Sequence, residues 1–271
     1  MKEFYLKNEI YYRTNEFEPE RPTLVFVHGL SGSSSAWLPY EKIFENKYNL
    51  VTFDIRGHGR SKKFPNYPDY EIKNFAEDLH ELVSHLNISK FVMISHSFAS
   101  LIAAEYIKQH PENVSAAVFL SPIFDLEKSF LSKISRLILA LSKIFSWVPF
   151  KSKVGHHVNY AKFPNSTDWS PRRCYADISN TTLRTYSYCL RQSVQKEQEH
   201  FLEKIKVPTL IVHGVKDTMS PVKNSVAISK KIKNSELVLI AKADHIVVLN
   251  NIEEVSAIIE SFVSKNKHIL F

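Results

Sequence analysis

The chain has 271 residues, of which 44% are hydrophobic and 23% charged, and its net charge is +7. These values are typical of a soluble globular protein with one large domain, and they argue against a disordered or collagen-like chain. No run approaches the roughly 18 uncharged apolar residues of a membrane span, and the charged start MKEFYLKNEIYY does not resemble a secretory signal. Two cysteines, Cys174 and Cys189, form no disulfide framework or metal-ligand pattern. We therefore expect a cytoplasmic protein without a metal ion or cofactor.

Short apolar runs alternate with amphipathic segments through the first 121 residues. A hairpin is predicted over residues 3–14, with its turn at Asn8-Glu9. Continuous apolar runs then predict buried strands at Thr23–Val27, Leu50–Ile55, Phe91–Ile94 and Ala116–Leu120. Helices are predicted at about residues 35–46, at 75–86 behind an Asn74 cap, and from Leu101 onward.

The alternation stops at Pro122 and resumes after residue 200. Residues 122–200 contain no convincing strand, so we predict a helical cap inserted into the domain. Strands are predicted again at Thr209–Val212 and Leu237–Ile240, and helices at about residues 221–232 and 252–264. The sequence thus predicts an α/β fold with a mostly parallel central sheet and helices on both faces. Its core domain comprises residues 1–121 and 201–271, with the cap between them.

The segment Phe91–Tyr106 passes from strand to helix within about five residues, with Ser97 at the turn. Such a turn strains the backbone of its central residue, lifts that side chain clear of the sheet and points a helix N-terminus at it. The usual pattern is Gly-x-Ser-x-Gly, and here Ser95 and Ala99 replace both glycines. Ser97 is therefore a candidate nucleophile, although a buried strand followed by a serine-capped helix has the same pattern.

Three further strand ends carry residues that would assist a serine nucleophile. Asp217 follows the strand TLIVH, His245 follows LVLI, and the loop His28-Gly29-Leu30 follows TLVFV. In an open parallel sheet, functional groups gather in the loops at the carboxyl ends of the strands. Because a serine hydroxyl needs an adjacent base, and that base needs an orienting carboxylate, Ser97, His245 and Asp217 form a candidate triad.

Five motifs in this order resemble those of the α/β-hydrolase family, and the resemblance covers nearly the whole chain. They are HGL at 28–30, DIRGHGRS at 54–61, SHSFA at 95–99, HGVKD at 213–217 and ADHIVVL at 243–249. The resemblance implies an α/β-hydrolase fold in which Ser97 is the nucleophile, His245 the general base and Asp217 its orienting acid. It also implies an oxyanion hole formed by the backbone N–H groups of Leu30 and Phe98. Ser95, Ala99 and Asp244, which stands where a glycine often precedes the histidine, depart from the family pattern.

Other polar residues in these motifs are expected to support the site rather than to react. They are His28, His58 and His96, together with Asp54, which is expected to hold the turn of residues 56–61 together. Asp125, after the next strand, is an alternative to Asp217 as the acid of the triad. Cys174 and Cys189 are expected to be packed or idle thiols of the cap.

The cap carries the positive charge of the chain. Residues 128–196 contain twelve Lys or Arg and only two acidic residues, a net +10 that leaves −3 for the rest. This excess favours an anionic substrate or surface, and the lack of a nucleic-acid-binding motif argues against nucleic acid as a partner. Within Phe130–Phe150, apolar residues fall at helical spacing at Leu131, Ile134, Ile138, Leu141 and Phe145. They predict a helix packed over the sheet, the wall of an acyl-binding pocket, or both, with basic side chains placed to rest on anionic lipid.

The chemistry implied by the family resemblance is acyl transfer to water. The leading hypothesis is a serine hydrolase of carboxylic esters, acting on a small-molecule or lipid-like ester with a medium-length chain, such as a monoacylglycerol. A C–C bond hydrolase, a lactonase and a thioesterase would use the same triad, and a catalytically weak ligand-binding receptor is the alternative from another class. Relatives with an aspartate nucleophile are disfavoured because position 97 is serine. The sequence contains no indication of the oligomeric state.

Overall fold

The computed structural model of the protein describes residues 1–124, 145, 147–151, 153–193 and 201–269. Its centre is an eight-stranded sheet with the strand order β1-β2-β4-β3-β5-β6-β7-β8. The strands are β1 (Lys2–Tyr5), β2 (Tyr11–Thr14), β3 (Thr23–Val27), β4 (Asn49–Phe53), β5 (Phe91–His96), β6 (Val114–Leu120), β7 (Thr209–Gly214) and β8 (Ser235–Ile240). The pairs β1–β2 and β2–β4 are antiparallel, and the other five pairs are parallel. The predicted mostly parallel sheet is confirmed.

Helices cover both faces of this sheet. They are α1 (Leu38–Phe44), α2 (Ile72–His85), α3 (Ala99–Gln109), α4 (Pro171–Thr181), α5 (Leu183–Gln192), α6 (Val222–Lys231), α7 (Val247–Asn250) and α8 (Ile252–Lys265). One buried core includes Leu79 of α2 and Met93 of β5. The other includes Phe44 of α1 and Ile94, the next residue of β5. Because successive side chains of a strand point to opposite faces, the central strands contribute to both cores.

Several helices, among them α1, α2 and α3, begin at residues other than those predicted. The helix expected over residues 35–46 is divided into a 3-10 turn, Ser34–Trp37, and α1. Pro39 stands in the first turn of α1, where its missing N–H costs no intrahelical hydrogen bond. Helix α2 begins two residues before Asn74, whose side-chain amide donates to Pro68 O at 2.8 Å instead of capping the helix.

The helices that the structure describes are short. The longest of them, α2 and α8, have 14 residues each, whereas a membrane span needs about 20. None of the described helices is both long and apolar enough to cross a bilayer.

Between β6 and β7, the described residues form helices and loops without a strand, and we refer to this region as the cap. Besides α4 and α5, a 3-10 turn covers Tyr160–Lys162. This region is fastened to the loop after β3 by hydrogen bonds from Ser35 Oγ to Val158 O at 2.8 Å and from Thr181 Oγ1 to Ser31 O at 3.1 Å. The exact limits of the predicted cap stay a prediction. Five of the residues discussed above lie outside the described residues, namely Asp125, Leu131, Ile134, Ile138 and Leu141.

Candidate active site

The turn between β5 and α3 carries Ser97 at the carboxyl edge of the sheet. Ser97 has a φ of +54°, in the left-handed region that residues with a β-carbon rarely adopt. Its N–H donates to Leu120 O at 2.9 Å, which pins the turn to β6. Ser95 and Ala99, in place of the elbow glycines, are fully buried, and Ser95 Oγ donates to Val118 O at 3.3 Å. The elbow therefore forms without either glycine.

Three of the predicted site residues form one hydrogen-bonded chain at this edge. Ser97 Oγ lies 2.7 Å from His245 Nε2, and His245 Nδ1 lies 2.7 Å from Asp217 Oδ2. Because an ionised carboxylate only accepts hydrogen bonds, Nδ1 carries the ring proton, and Nε2 accepts the hydrogen bond of the Ser97 hydroxyl. All three residues are buried. The structure thus brings together a hydroxyl, a base that faces it and a carboxylate that orients the base, while their catalytic roles stay a prediction.

The loop after β7 surrounds the Asp217 carboxylate with donors. Oδ1 accepts the N–H groups of Met219 and Ser220 at 2.8 and 2.7 Å. Besides the bond to His245, Oδ2 lies 3.2 Å from His213 Nε2. Burial by itself would raise the pKa of Asp217, but its attraction to His245 and these hydrogen bonds outweigh burial and hold the pKa well below its usual range. Asp217 is therefore ionised at neutral pH.

His245 lies among carboxylates. Burial by itself would lower its pKa, but the charge and the hydrogen bond of Asp217 raise it. The charges of Asp168 and Asp244 act in the same direction, and the pKa of His245 lies above the ordinary histidine value. These three carboxylates would consequently stabilise the imidazolium that forms when Ser97 transfers its proton to His245.

The loop after β3 lies against the elbow. A Cβ atom on Gly29 would lie 3.2 Å from Ser97 Cβ and 3.0 Å from His96 Nδ1, so a larger residue would fit here only if these neighbours moved by a few tenths of an ångström. Leu30 follows directly. Neither its N–H group nor that of Phe98 donates to another atom of the described part of the chain. Unpaired N–H groups beside a reactive serine are what an oxyanion hole requires, which is the role predicted for Leu30 and Phe98.

His28 and His58 are buried neutral rings near the site. His28 Nε2 accepts the N–H of Ile55 at 3.1 Å, and its Nδ1 donates to Gly29 O at 2.9 Å. Burial lowers the pKa of His28 and lowers that of His58 to about 3. Since both nitrogens of His28 already have backbone partners, its predicted supporting role fits this geometry.

Strand β4 ends at Phe53, two residues before the predicted limit, and the chain turns at Asp54. Asp54 Oδ1 accepts the N–H of Ser34 at 2.7 Å, and its Oδ2 accepts the N–H of Arg60 at 2.7 Å. Oδ2 also lies 2.8 Å from Nε2 of His157, between β6 and β7. Asp54 therefore fastens the turn that follows it, as predicted, and also connects this turn to the cap.

His96 supports the backbone of the candidate base. Its Nε2 donates to His245 O at 3.0 Å. Burial, followed by the charge of His245, lowers the pKa of His96 to about 3, so the ring is neutral at physiological pH. Through this hydrogen bond, His96 holds the backbone of His245, which fits the supporting role predicted for His96.

Asp168 is a site residue that sequence reasoning missed. It lies between β6 and β7, is buried, and accepts the N–H of His245 at 2.8 Å. In the sequence it stands out only as an acidic residue within a basic segment. Nothing in its neighbours along the chain indicates a partner 77 residues away.

Ser97 and His245 line a cavity between the sheet domain and the cap. Much of its wall is apolar, with Trp37, Val248 and Leu249 on one side and Ile178, Tyr186 and Leu190 on the other. Phe145 is the one predicted wall residue that the structure describes. It is half-buried and packs against the core that contains α2 and α3, and it is not among the described residues that line the cavity.

One part of the cavity wall is polar and comes from the cap. Asp177 accepts the Tyr160 hydroxyl at 3.0 Å and the Arg173 guanidinium at 2.7 Å. Burial raises the pKa of Asp177 to about 6, although Arg173 and Tyr160 favour its ionised form. The cavity thus offers hydrogen-bonding groups at one place within a largely apolar wall.

Neither cysteine takes part in the hydrogen-bonded chain of Ser97, His245 and Asp217. Cys189 is buried and Cys174 half-buried, and both are free thiols. Within the described ranges, no group of three or more His, Cys, Asp or Glu side chains is arranged to hold a metal ion.

The known proteins that are similar to this chain include hydrolases. The family described as alpha/beta hydrolase fold matches residues 22–252. Monoacylglycerol lipase ABHD6 of Bos taurus is 22% identical over 288 residues, which covers 96% of this chain and 81% of the lipase. MGS-M2, an alpha/beta hydrolase enzyme from a Medee basin deep-sea metagenome library, superposes with a TM-score of 0.78 at 19% identity over 97% of each chain. An esterase from Thermogutta terrifontis has a TM-score of 0.76 at 15% identity, covering 98% of this chain and 99% of its own.

Proposed function

The chain belongs to the α/β-hydrolase family, and we propose that it hydrolyses carboxylic esters through an acyl-enzyme on Ser97. The observation that carries this proposal is the 2.7 Å hydrogen bond from Ser97 Oγ to His245 Nε2. It occurs at a strained elbow that opens into a cavity, with Asp217 behind the imidazole. A serine hydroxyl in this arrangement is activated as a nucleophile without any further group.

In the proposed mechanism, Ser97 Oγ attacks the carbonyl carbon of the ester while His245 Nε2 takes the hydroxyl proton. The N–H groups of Leu30 and Phe98 hold the negative oxygen of the tetrahedral intermediate, and one such donor typically contributes about 3–4 kcal/mol. His245 then gives its proton to the departing alcohol oxygen, which leaves the acyl-enzyme. Water attacks the acyl carbon as His245 takes its proton, and the carboxylic acid leaves as the proton returns to Ser97 Oγ.

We propose a lipid-like ester with a medium-length acyl chain, such as a monoacylglycerol, as the substrate. The apolar wall around Trp37 and Leu249 supports an acyl chain, and the polar group of Tyr160, Arg173 and Asp177 supports a hydroxylated alcohol part. The relation to a protein named monoacylglycerol lipase supports the same class. The test is a series of nitrophenyl esters of increasing acyl length. We expect kcat/KM to be highest at a medium length, and best activity on the acetate would contradict the proposal.

The nucleophile is tested by covalent labelling with a fluorophosphonate probe. Wild-type protein should form one adduct on Ser97, located by peptide mass spectrometry, and Ser97→Ala should form none. His245→Ala should lose labelling, whereas His28→Ala should retain most of it, because both ring nitrogens of His28 are bonded to backbone groups and not to Ser97 Oγ. The absence of any adduct in the wild type would refute the hydrolase proposal and favour a ligand-binding role for the same cavity.

We also propose that the cap makes peripheral contact with anionic lipid. Trp147 is 88% exposed and Val154 76% exposed, and the lysines between them, Lys151 and Lys153, are exposed as well. Exposed apolar side chains next to basic ones favour a membrane surface that carries negative charge. A lipid-like substrate would be met at such a surface.

A further inference from the structure

We infer that Asp168 is a positioning residue through which the cap fixes the relative placement of the candidate acid and base. The inference rests on the proposed function, because it assigns Asp168 a role toward His245 and Asp217. It goes beyond that function because it says that the alignment of His245 with Asp217 depends on the Asp168 carboxylate, which the cap supplies.

The two oxygens of Asp168 bind two different loops. Oδ1 accepts the N–H of His245 at 2.8 Å, in the loop after β8. Oδ2 accepts the N–H of Thr218 at 3.0 Å and its hydroxyl at 2.7 Å, in the loop after β7. Thr218 directly follows Asp217 in the chain. One carboxylate therefore spans the backbones of the candidate base and of the residue next to the candidate acid.

Three charge-assisted hydrogen bonds on one buried carboxylate form a rigid connection. Hydrogen bonds to a charged group are shorter and stronger than neutral ones, and Asp168 is only 3% exposed, so water does not compete for them. The 2.7 Å bond between His245 Nδ1 and Asp217 Oδ2 spans the same two loops. Asp168 and this bond therefore add to the backbone bond that Lys216 N–H donates to Ala243 O at 2.9 Å, and Asp168 is the link that the cap supplies.

The segment around Asp168 is itself held against the site. Trp169 Nε1 donates to Thr218 Oγ1 at 2.9 Å, and Asn250 Nδ2, from α7, donates to Ser166 O at 2.8 Å. Arg173 Nη2 donates to Asp168 O at 2.8 Å, while its Nη1 pairs with Asp177. Residues 166–173 thus bring Asp168 to the catalytic loops only when this part of the cap is seated on the sheet domain.

The charge of Asp168 has an effect separate from its hydrogen bonds. The groups that influence the protonation of His245 are Asp217, Asp168 and Asp244, and the neutral His96 faces it from the elbow. Removing either of the charges on Asp168 and Asp244 should lower the pKa of His245. Only Asp168, however, also joins the two loops, because Asp244 Oδ1 accepts from Ile246 N–H and Asn250, close to it in the chain.

The experiment compares Asp168→Asn with the charge-matched Asp244→Asn in the full-length protein. An asparagine at 168 accepts with one oxygen only and turns an amide toward the other donor. We expect kcat on a nitrophenyl ester to fall about 100-fold with KM nearly unchanged, the loss typical of a small misplacement of catalytic groups. Asp244→Asn removes a charge near His245 without breaking a bond between the two loops, so it should reduce kcat far less than Asp168→Asn does. In both variants the acidic limb of the pH profile should move to lower pH.

Two further measurements separate the possible failures. Thr218→Val removes one of the three bonds to Asp168, together with the bond from Trp169 Nε1, without changing a charge. It should therefore reduce kcat less than Asp168→Asn does, and thermal unfolding shows whether each variant is folded. Labelling of Ser97 in the wild type tests the proposed function on its own. If the wild type is labelled and a folded Asp168→Asn keeps its kcat, or loses no more than Asp244→Asn, the inference is overturned.

Discussion

Ser97, the proposed nucleophile, has an unfavourable backbone conformation. Its φ of +54° lies in the left-handed region, which costs residues with a β-carbon roughly 1–2 kcal/mol. The bond from its N–H to Leu120 O holds the turn in place. The backbone strain therefore lowers the stability of the fold at the residue whose hydroxyl must stand clear of the sheet.

This strain predicts a difference between two inactive variants. Ser97→Gly should be more stable than Ser97→Ala by about 1 kcal/mol in the free energy of unfolding, because glycine adopts positive φ at little cost. Both variants lack the hydroxyl, so they differ mainly in backbone preference at one position. Urea unfolding followed by circular dichroism measures the difference. Equal stability of the two would mean that the elbow stores no strain at Ser97.

The proposed role of His245 as general base predicts that its pKa sets the acidic limit of turnover. A general base acts in its deprotonated form, so kcat/KM should fall as the pH drops through this pKa. Because Asp217 and its neighbours raise the pKa of His245, the midpoint should lie above the ordinary histidine value of about 6.5. A pH profile on a soluble nitrophenyl ester measures it. A midpoint below that ordinary value would contradict the assigned electrostatics.

At the scale of elements, a buried ion pair connects the hairpin to the first helix. Arg13 of β2 donates to Glu41 Oε1 of α1 at 2.6 and 3.0 Å. The same oxygen accepts the Thr52 hydroxyl of β4 at 2.7 Å, and both charged residues are buried. Three elements are thus joined through one carboxylate, far from water.

Removing one partner of this pair should be much worse than removing both. Glu41→Ala leaves the guanidinium buried without its counter-charge, which typically costs about 3–5 kcal/mol in the free energy of unfolding. The double variant Arg13→Met with Glu41→Leu should lose far less, since it buries no charge. Urea unfolding of the single and double variants compares them. A double variant as unstable as Glu41→Ala would show that packing, rather than the unpaired charge, decides the loss.

The sheet and the candidate triad were accessible from the sequence for a physical reason. Buried parallel strands are continuous apolar runs, and Ser97, Asp217 and His245 each stand just after one of them, so their convergence follows from topology. Helix starts were harder to predict from the sequence, because α2 begins after a 3-10 turn that has no hydrophobic periodicity to mark it. Asp168 could not be predicted, because its hydrogen bonds to His245 and Thr218 bridge 77 and 50 residues. Such contacts depend on how the cap is seated.

At the scale of the whole molecule, the positive charge is concentrated in one internal segment of the sequence. Residues 128–196 carry +10, and the rest of the chain carries −3. Within the described part of this segment, Arg173 is buried and paired with Asp177, whereas Lys151 and Lys153 are exposed. These two lysines, together with the exposed Lys162 and Arg172, are therefore charges available to an anionic surface, whereas the buried Arg173 is not.

Vesicle binding tests this distribution of charge. The protein should sediment with vesicles that contain phosphatidylserine and much less with pure phosphatidylcholine, and added salt should release it. Replacing both Lys151 and Lys153 by Gln should weaken binding roughly 30-fold, at about 1 kcal/mol for each lysine near the surface. The matched control replaces Lys223 and Lys230, two exposed lysines of α6, by Gln. Equal loss in both pairs would indicate attraction to net charge only.

The hydrogen bond between Ser97 and His245 joins residues 148 positions apart in the chain. It forms only when β7 and β8 have docked beside β6, although β6 ends at Leu120 and β7 begins at Thr209. Closing a connection of that length is an entropic barrier, and long-range parallel pairing is intrinsically slow. If Ser97 is labelled as proposed, the recovery of labelling reports when the two halves of the sheet have joined. After dilution from denaturant, fluorophosphonate labelling should recover later than helical circular dichroism, and the delay would time the joining of the two halves of the sheet.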